Sequence, residues 1–423
     1  MSKNNENKLV PRLRFPEFHN DGNWEEKSLG AVAENIMYGM NSAAVEFDGE
    51  NKYIRITDID EETRMFIPNP LTSPEGLLEE KYAVNIGDLL FARTGASVGK
   101  SYLHKKESGK VYFAGFLIRF TIKDAVPYFI YAQTHTNKYQ KWVLATSARS
   151  GQPGINAEEY KSYPIQIPIN YKEQQKIAAC LSSLDEVITA ESQKLEVLKD
   201  HKKGLLQNLL PQEGETVPKF RFKEFEKDGE WEVTKLSELG YLINGLTYSP
   251  EDVRDKGLLV LRSSNIQDGL IDLKDCVYVR EDINGANLTK PKDIIVCVRN
   301  GSKSLIGKNA VIPEGIPFAT HGAFMTAFRA NNPAFVFQLF QSDYYGKQVR
   351  SDLGATINSI NGKNFIKYEF PVPKNPKEQE KIADTLSSVD DLIKAQTEKV
   401  LALQLHKKGL LQGLFPNINE VTE

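Results

Sequence analysis

The feature that most constrains this chain is an internal duplication. Its 423 residues contain two stretches of 40 residues, beginning at Lys172 and at Lys377, in which 23 of the 40 aligned positions are identical. A shorter motif also recurs, reading PRLRFPEFHNDGNWE from Pro11 and PKFRFKEFEKDGEWE from Pro218. Self-similarity over this length indicates a duplicated structural unit. The sequence therefore predicts two units of similar architecture.

Between these matching stretches lie two interior segments that match poorly. Faint similarity remains between YIRITDI near Tyr53 and VLRSSNI near Val260, and between GDLLFARTGASVGK and KDIIVCVRNGSKSLIGK. A shared frame with different contents predicts one fold with two different surfaces. Each interior is predicted to be mixed α and β (α+β). The expected elements include the strands Val111–Phe120 and Ile294–Val298, and one amphipathic helix in each copy, near Tyr128–Leu144 and near Ala334–Val349.

The repeated 40-residue stretches predict two long helices. Apolar residues recur in alternating steps of four and three over about five heptads, which is the a/d pattern of a coiled coil. Prolines at Pro211 and Pro416 end the two stretches, and none interrupts them. The a/d residues are Ile177, Leu181, Leu184, Ile188, Leu195, Leu198, Leu205 and Leu209, and Ile382, Leu386, Val389, Ile393, Val400, Leu403, Leu410 and Leu414; polar Glu191, Lys202, Gln396 and Lys407 fill the gaps in the pattern.

A narrow apolar stripe requires a partner helix, and the other copy is the nearest candidate. Two equal units packed through like surfaces tend to form an internal pseudo-two-fold, which would make the helices antiparallel and place the domains at opposite ends. Two alternatives stay open: each helix packs on its own domain, or the stripes join two chains. The polar residues in the gaps can fix register and orientation.

These patterns divide the chain into five parts. We expect a first globular domain at residues 1–171, a long helix at 172–211, a second globular domain at 212–376, a second long helix at 377–416 and a tail at 417–423. The expected architecture is a tandem repeat of mixed domains whose helices pair as an antiparallel coiled coil.

Composition sets further bounds. Cys180, Cys276 and Cys297 are few, scattered and odd in number, which argues against a disulfide framework. The polar N-terminus does not read as a signal peptide, and no run of 18 apolar residues occurs, so we expect a cytoplasmic protein. The net charge of −3 does not by itself predict a nucleic-acid partner, although a balanced total can hide a basic face.

A search for catalytic motifs finds little. The segment Gly95–Ser101 resembles a phosphate loop but has three residues between its glycines instead of four, so a tight hairpin or a loop facing DNA is favoured. The Asn-Pro pairs at Asn69, Asn332 and Asn375 lack the continuation of an adenine methyltransferase motif. The histidines show no metal-ligand spacing. We therefore predict no catalytic residue, metal or cofactor in this chain.

The repeated frame resembles the specificity subunits of type I restriction-modification systems. The resemblance rests on YPIQIPINYKEQQKIAACLSSLDEVI and FPVPKNPKEQEKIADTLSSVDDLI, on the HKKGLLQ helix ends, and on the RFPEF and RFKEF motifs. It implies a non-catalytic chain whose two domains read the halves of a split, asymmetric DNA target. It also implies two methyltransferase subunits that use S-adenosylmethionine, and restriction subunits that use ATP and Mg²⁺, as partners.

Residues with forked or paired hydrogen-bonding groups can read bases, and small polar or cationic residues can hold phosphates. Three groups in each domain combine such residues with nearby glycines, although solvated turns or buried ion pairs would have the same composition. The first group is Arg93, Thr94, Ser97 and Lys100, with Arg299, Asn300, Ser302, Lys303 and Lys308; the second is Ser147, Arg149, Ser150, Gln152 and Asn156, with Arg350, Ser351, Thr356, Asn358 and Asn361; the third is Arg55 and Thr57, with Arg262, Ser263, Ser264 and Asn265.

Overall fold

The computed structural model describes residues 9–105, 109–148, 151–267, 269–316, 318–353 and 358–416. The chain divides into two compact units. Residues 1–192 and 398–423 form the first unit, and residues 193–397 form the second. Each unit thus contains one of the two interior segments together with part of each long helix. Among the described residues, no helix is both long enough and apolar enough to cross a membrane.

The first unit is built around a four-stranded antiparallel sheet with strand order β2-β9-β6-β7. Strands β4 and β8 form a separate parallel pair, while β1 with β10 and β3 with β5 form antiparallel pairs. The elements are β1 (Glu25–Ser28), β2 (Ala33–Tyr38), β3 (Ala44–Glu46), β4 (Asn51–Ile54), β5 (Thr72–Pro74), β6 (Asp88–Ala92), β7 (Ser101–Leu103), β8 (Lys110–Phe113), β9 (Leu117–Ile122), α1 (Pro127–Gln133), α2 (Asn137–Ser147), α3 (Ala157–Lys161), β10 (Pro164–Ile167) and the long helix α4 (Tyr171–Leu209), which begins in this unit.

The second unit repeats the topology with the antiparallel order β12-β21-β18-β19. Here β14 pairs in parallel with β20, as β4 does with β8 in the first unit. The elements are β11 (Glu232–Lys235), α5 (Leu236–Leu239), β12 (Gly240–Asn244), β13 (Val253–Arg254), β14 (Leu258–Leu261), β15 (Ile266–Gln267), β16 (Leu270–Ile271), β17 (Val277–Val279), β18 (Ile294–Cys297), β19 (Asn309–Val311), β20 (Ala319–His321), β21 (Met325–Ala330), α6 (Pro333–Phe340), α7 (Asp343–Asp352), α8 (Gly362–Phe365), β22 (Glu369–Val372) and the long helix α9 (Pro376–Leu414).

Two sequence predictions about the domain interiors are wrong in detail. The helix predicted near Tyr128–Leu144 is two helices, α1 and α2, and the one near Ala334–Val349 is α6 and α7. The break has a local cause, because the side chains of Thr136 and Ser342 cap α2 and α7 by accepting from backbone N–H groups. The apolar run Val111–Phe120 is likewise two strands, β8 and β9.

A buried ion pair joins the opening motif of each repeat to the start of its long helix. In the first unit, Arg14 donates from Nε and Nη2 to the Glu173 carboxylate at 2.8 Å, and in the second Arg221 does the same to Glu378. Hydrogen bonding to these carboxylates raises the pKa of both arginines. In each unit the repeated arginine and the glutamate of the KEQ motif therefore form one structural ion pair. The indole N–H of Trp24 also donates to the Glu173 carboxylate at 3.3 Å, and that of Trp231 donates to the Glu378 carboxylate at the same distance.

In the first unit the two long helices pack antiparallel. Lys407 pairs with Asp185 and Lys399 pairs with Glu191, each at 2.5 Å, so residue numbers fall in one helix as they rise in the other. The pairing that the heptads predicted is thereby confirmed. The domain also contributes to the packing, since Ile177 and its neighbours Ala178 and Leu181 join the same core cluster as Leu411 and Leu414 of α9.

The second unit contains the equivalent helix contact. Lys202 pairs with Asp390 at 2.6 Å, and these residues match Lys407 and Asp185 after the repeat offset. Three of the polar residues that interrupt the a/d stripe, Glu191, Lys202 and Lys407, thus form ion pairs across the helix interface. The apolar residues of this contact are Leu205, Leu206, Leu209, Ile382, Ala383 and Leu386.

Candidate nucleic-acid interface

The glycine-rich segment after β6 is a hairpin turn. Strands β6 and β7 pair antiparallel on either side of it, and Gly95 and Gly99 have positive φ values of 72° and 84°. The Lys100 side chain is 3% exposed, and its Nζ donates to the carbonyl of Ile59 at 2.9 Å and contacts Glu61. A phosphate-loop lysine must reach its phosphate, so this geometry supports the hairpin and argues against nucleotide binding.

Contacts among the described residues join the three segments that carry the candidate groups of the first unit. Thr94 forms a β-bridge with Gly154, and the backbone N–H of Gly95 donates to the carbonyl of Pro153 at 3.0 Å. These contacts join the hairpin turn to the segment that carries Gln152 and Asn156. The contacts of Lys100 with Ile59 and Glu61 join the same turn to the segment after Arg55 and Thr57.

The second unit brings its three groups together in the same way. Arg299 forms a β-bridge with Ser359, and Asn358 donates to the carbonyl of Gly301 at 3.2 Å. Asn300 donates to Ser263 Oγ at 3.1 Å, which connects the turn to the third group. Separate stretches of sequence therefore build equivalent surfaces in the two units.

The residues of these surfaces differ in how far they reach solvent. Lys100, Ser147 and Asn265 are buried. Thr57, Gln152, Asn156, Ser264, Arg299, Ser302, Lys303, Arg350, Ser351 and Asn361 are exposed, while Arg55, Arg93, Thr94, Ser97, Arg262, Ser263, Asn300, Lys308 and Asn358 are half-buried. The candidates Arg149, Ser150 and Thr356 lie outside the described residues.

Several candidates of the third group form ion pairs or hydrogen bonds within their own domain. Arg55 donates from Nε and Nη2 to the buried Asp58 at 2.8 and 2.7 Å, and this hydrogen bonding raises the pKa of Arg55. Arg262 pairs with Asp275 at 2.7 Å. Asn265 has no exposed surface, and its amide donates to two carbonyl oxygens at 2.9 Å. For these residues the structure favours the alternative interpretation, in which ion pairs and hydrogen bonds within the domain engage the side chains.

Two caps also belong to the interface region. The Asn156 side chain caps α3 by accepting from the N–H of Glu159, and the Asn361 side chain accepts from the N–H of Lys363 at the start of α8. Both residues remain exposed. Among the residues that the structure describes, no group of three or more His, Cys, Asp or Glu side chains gathers as metal ligands would.

Comparison with known proteins shows which family the chain belongs to. The family model described as the type I restriction modification DNA specificity domain matches residues 21–200 and 228–403, which is most of the chain. The chain belongs to this family. It is a specificity subunit with two recognition domains, one from each match.

Named relatives carry the same family description, and a solved structure shares the fold. The chain is 24% identical over 353 residues to the type I restriction enzyme MjaVIII specificity subunit of Methanocaldococcus jannaschii, covering 80% of each protein. It is 31% identical over 198 residues to the EcoKI specificity subunit of Escherichia coli, covering 43% of this chain and 42% of that protein. The crystal structure of the type I restriction-modification S subunit from M. genitalium aligns with a TM-score of 0.64 at 15% identity, covering 97% of this chain and all of that one.

Each specificity domain also presents an aromatic residue that the sequence analysis missed. Phe116 directly precedes β9 and Phe324 directly precedes β21, and their side chains are 56% and 58% exposed. Arg93 lies over Phe116 and Arg299 over Phe324. Phe116 was hidden because it falls in an apolar run that predicts one continuous strand. The available signal was a repeated glycine close to the aromatic residue, one position before Phe116 in AGFL and two positions before Phe324 in HGAFM.

Proposed function

We propose that this specificity subunit is the non-catalytic DNA-reading component of a type I restriction-modification complex. Its two domains read the two halves of a split, asymmetric double-stranded DNA target. The observation that carries the proposal is that each domain gathers hydrogen-bond donors from separate segments onto one surface, with different side chains in the two copies. Like folds with unlike contacts suit two different half-targets.

The chemistry is assigned to partner subunits. Two modification subunits supply adenine methylation with S-adenosylmethionine, and restriction subunits supply ATP-driven activity with Mg²⁺. The buried Lys100 supports this division, because the segment most like a nucleotide site has its lysine engaged within the domain. The complex is proposed to act in the cytoplasm, where it meets DNA.

The paired helices are proposed to set the unread gap between the half-targets. Each helix has 39 residues, which corresponds to about 58 Å at 1.5 Å per residue. DNA presents the same groove face about every 34 Å, so a stiff connection of fixed length favours one gap length.

The test is reconstitution with the modification subunits of the host. Transfer of labelled methyl groups from S-adenosylmethionine to duplex DNA is expected only when this chain is present. The chain alone is expected to hydrolyse no ATP and to cleave no DNA. Methylation that proceeds equally without the chain, or nuclease or ATPase activity of the purified chain, would contradict the proposal.

A further inference from the structure

An exposed phenylalanine stands at the same topological place in both recognition domains. The register of the central sheets is equivalent there, since Leu117 pairs with Ala92 and Met325 pairs with Cys297. The exposed ring belongs to the residue just before each paired position, Phe116 or Phe324. Contact between a large apolar side chain and water is unfavourable, and burying the side chain would lower the free energy. Because this exposure recurs at the same place in otherwise dissimilar interiors, it indicates an apolar contact outside the chain.

A guanidinium accompanies each ring. Arg93 lies 6.0 Å from the centroid of Phe116, and Arg299 lies 5.8 Å from that of Phe324. In both domains the backbone N–H of the arginine donates to the backbone carbonyl of the phenylalanine at 3.1 Å, which holds the two residues side by side. A guanidinium on the face of a ring keeps its in-plane donors directed away from the ring, where they can meet acceptors.

The turn that carries each ring is held tightly. The loop after β2 or β12 crosses it so closely that only glycine fits. A Cβ on Gly39 would lie 2.3 Å from the carbonyl oxygen of Ala114, and one on Gly245 would lie 2.2 Å from that of Gly322. Since the contacts are with backbone, they cannot be relieved by moving a side chain. The arginine and ring are thus presented on a preformed support, which lowers the entropic cost of binding.

The two copies differ in one neighbour of the guanidinium. In the first domain Arg93 also lies 4.9 Å from the ring centroid of Tyr38, whose hydroxyl accepts from the N–H of Ala157. The residue before the equivalent glycine in the second domain is Asn244. Arg93 is therefore flanked by two rings, and Arg299 has an amide side chain at that position of the strand.

We propose that Phe116 with Arg93, and Phe324 with Arg299, are the base-contacting pair of each recognition domain. In each pair the ring packs against the 5-methyl group of a thymine, and the guanidinium donates to O6 and N7 of a neighbouring guanine in the major groove. The inference rests on the proposed function. Duplex DNA is the occupant because the ring is bordered by a guanidinium and by the donors of the same surface, including Asn300, Ser302 and Gln152.

The first experiment selects bound duplexes from a randomised library, using the chain assembled with its modification subunits. Phe116→Ala and Arg93→Lys are expected to flatten base preference at one or two positions of one half-target, and Phe324→Ala and Arg299→Lys to do so in the other half. Loss of a good base contact corresponds to about a 5- to 150-fold change in discrimination. The unaffected half-target shows in the same experiment that each variant is folded.

Matched controls are exposed apolar residues elsewhere in the same domains. Leu144 and Val233 are 72% and 64% exposed, and Leu144→Ala and Val233→Ala are expected to select the wild-type sequence. A second experiment replaces each thymine of the selected duplex by uracil, which removes only the methyl group. One such replacement in each half should weaken wild-type binding and leave binding by the matching alanine variant unchanged.

The outcomes separate the two proposals. Failure of the wild-type complex to enrich any two-part sequence overturns the proposed function and the base-contacting pair together. Enrichment of the same sequence by the wild type and all four variants overturns the pair alone. A uniform loss of affinity over all sequences also overturns it, because that result marks phosphate contacts rather than base reading.

Discussion

At the scale of single residues, the most strongly repeated polar residues stabilise the fold and are not candidates for binding DNA. Glu173 and Glu378 recur in identical KEQ motifs, and the structure shows both carboxylates buried against an arginine. The candidate Lys100 is buried because Ile59 and Glu61, some 40 residues earlier in the chain, close over it. Which polar residues face solvent depends on such distant partners, and spacing along the sequence does not contain that information.

The buried ion pairs give a stability prediction. Glu378→Gln keeps the shape of the side chain but leaves Arg221 without its counter-charge, and breaking a buried pair in this way costs about 3–5 kcal/mol. Glu173→Gln should do the same to Arg14. Urea unfolding measures the loss, and Glu196→Gln, in the exposed pair with Lys199, is the control expected to stay close to wild type. Equal stability of the Glu378 variant and the control would contradict the structural role.

His321 gives a prediction about pH. The side chain has no exposed surface, and burial lowers its pKa below the ordinary value of 6.5, although Asp293 acts in the opposite direction. The unfolded chain takes up a proton near pH 6.5 that the folded chain resists, so the stabilising contribution is present above pH 6.5 and is lost as the pH falls through the folded pKa. His321→Gln should therefore show a smaller fall in melting temperature between pH 7 and pH 5. An identical fall in both proteins would contradict the assignment.

At the scale of elements, the long helices were the most predictable part of the chain. Their heptads predicted the helices and the need for a partner helix. The duplication favoured the antiparallel pairing over the two alternatives, because two equal units packed through like surfaces tend to be related by a pseudo-two-fold. The shorter elements were less predictable. Thr136 and Ser342 look like ordinary polar positions in a helical pattern, and only the structure shows that each one caps the start of a second helix. The break in the run Val111–Phe120 was hidden for the same reason, because apolar residues continue through it.

The ion pairs across the helices yield a test of register. Lys407 and Asp185 are 20% and 23% exposed, and a half-buried charged hydrogen bond contributes roughly 1–3 kcal/mol. Lys407→Ala should lower the free energy of unfolding by about that amount, and Lys202→Ala should act likewise through Asp390. Lys408→Ala, one position along and exposed, is the matched control. A loss as large in the Lys408 variant would show that the pairing does not set the register.

The helix glycines predict a gain in stability. Gly204 and Gly409 occupy equivalent positions inside the two long helices, and a Cβ at either would meet no atom within 4 Å. Replacing glycine by alanine inside a helix stabilises it by roughly 1 kcal/mol per site. The double variant Gly204→Ala and Gly409→Ala should therefore melt at a higher temperature. Gly413→Ala is the contrast, because its Cβ would lie 2.4 Å from the Leu13 side chain and should bring no such gain.

At the scale of the whole molecule, duplication explains the division between what repeats and what varies. The repeated parts are the buried Arg–Glu ion pairs, the long helices and the order of strands in each central sheet. The varied parts are the turns that carry the candidate contacts. A chain that keeps its frame and changes its surfaces is suited to reading two different half-targets with one architecture.

The methylome of a host carrying this chain with its modification subunits tests that claim most directly. The account predicts one methylated motif made of two short, unlike halves separated by an unread gap of constant length, and predicts that the motif disappears when the chain is deleted. A continuous or palindromic motif, or methylation that persists without the chain, would contradict it.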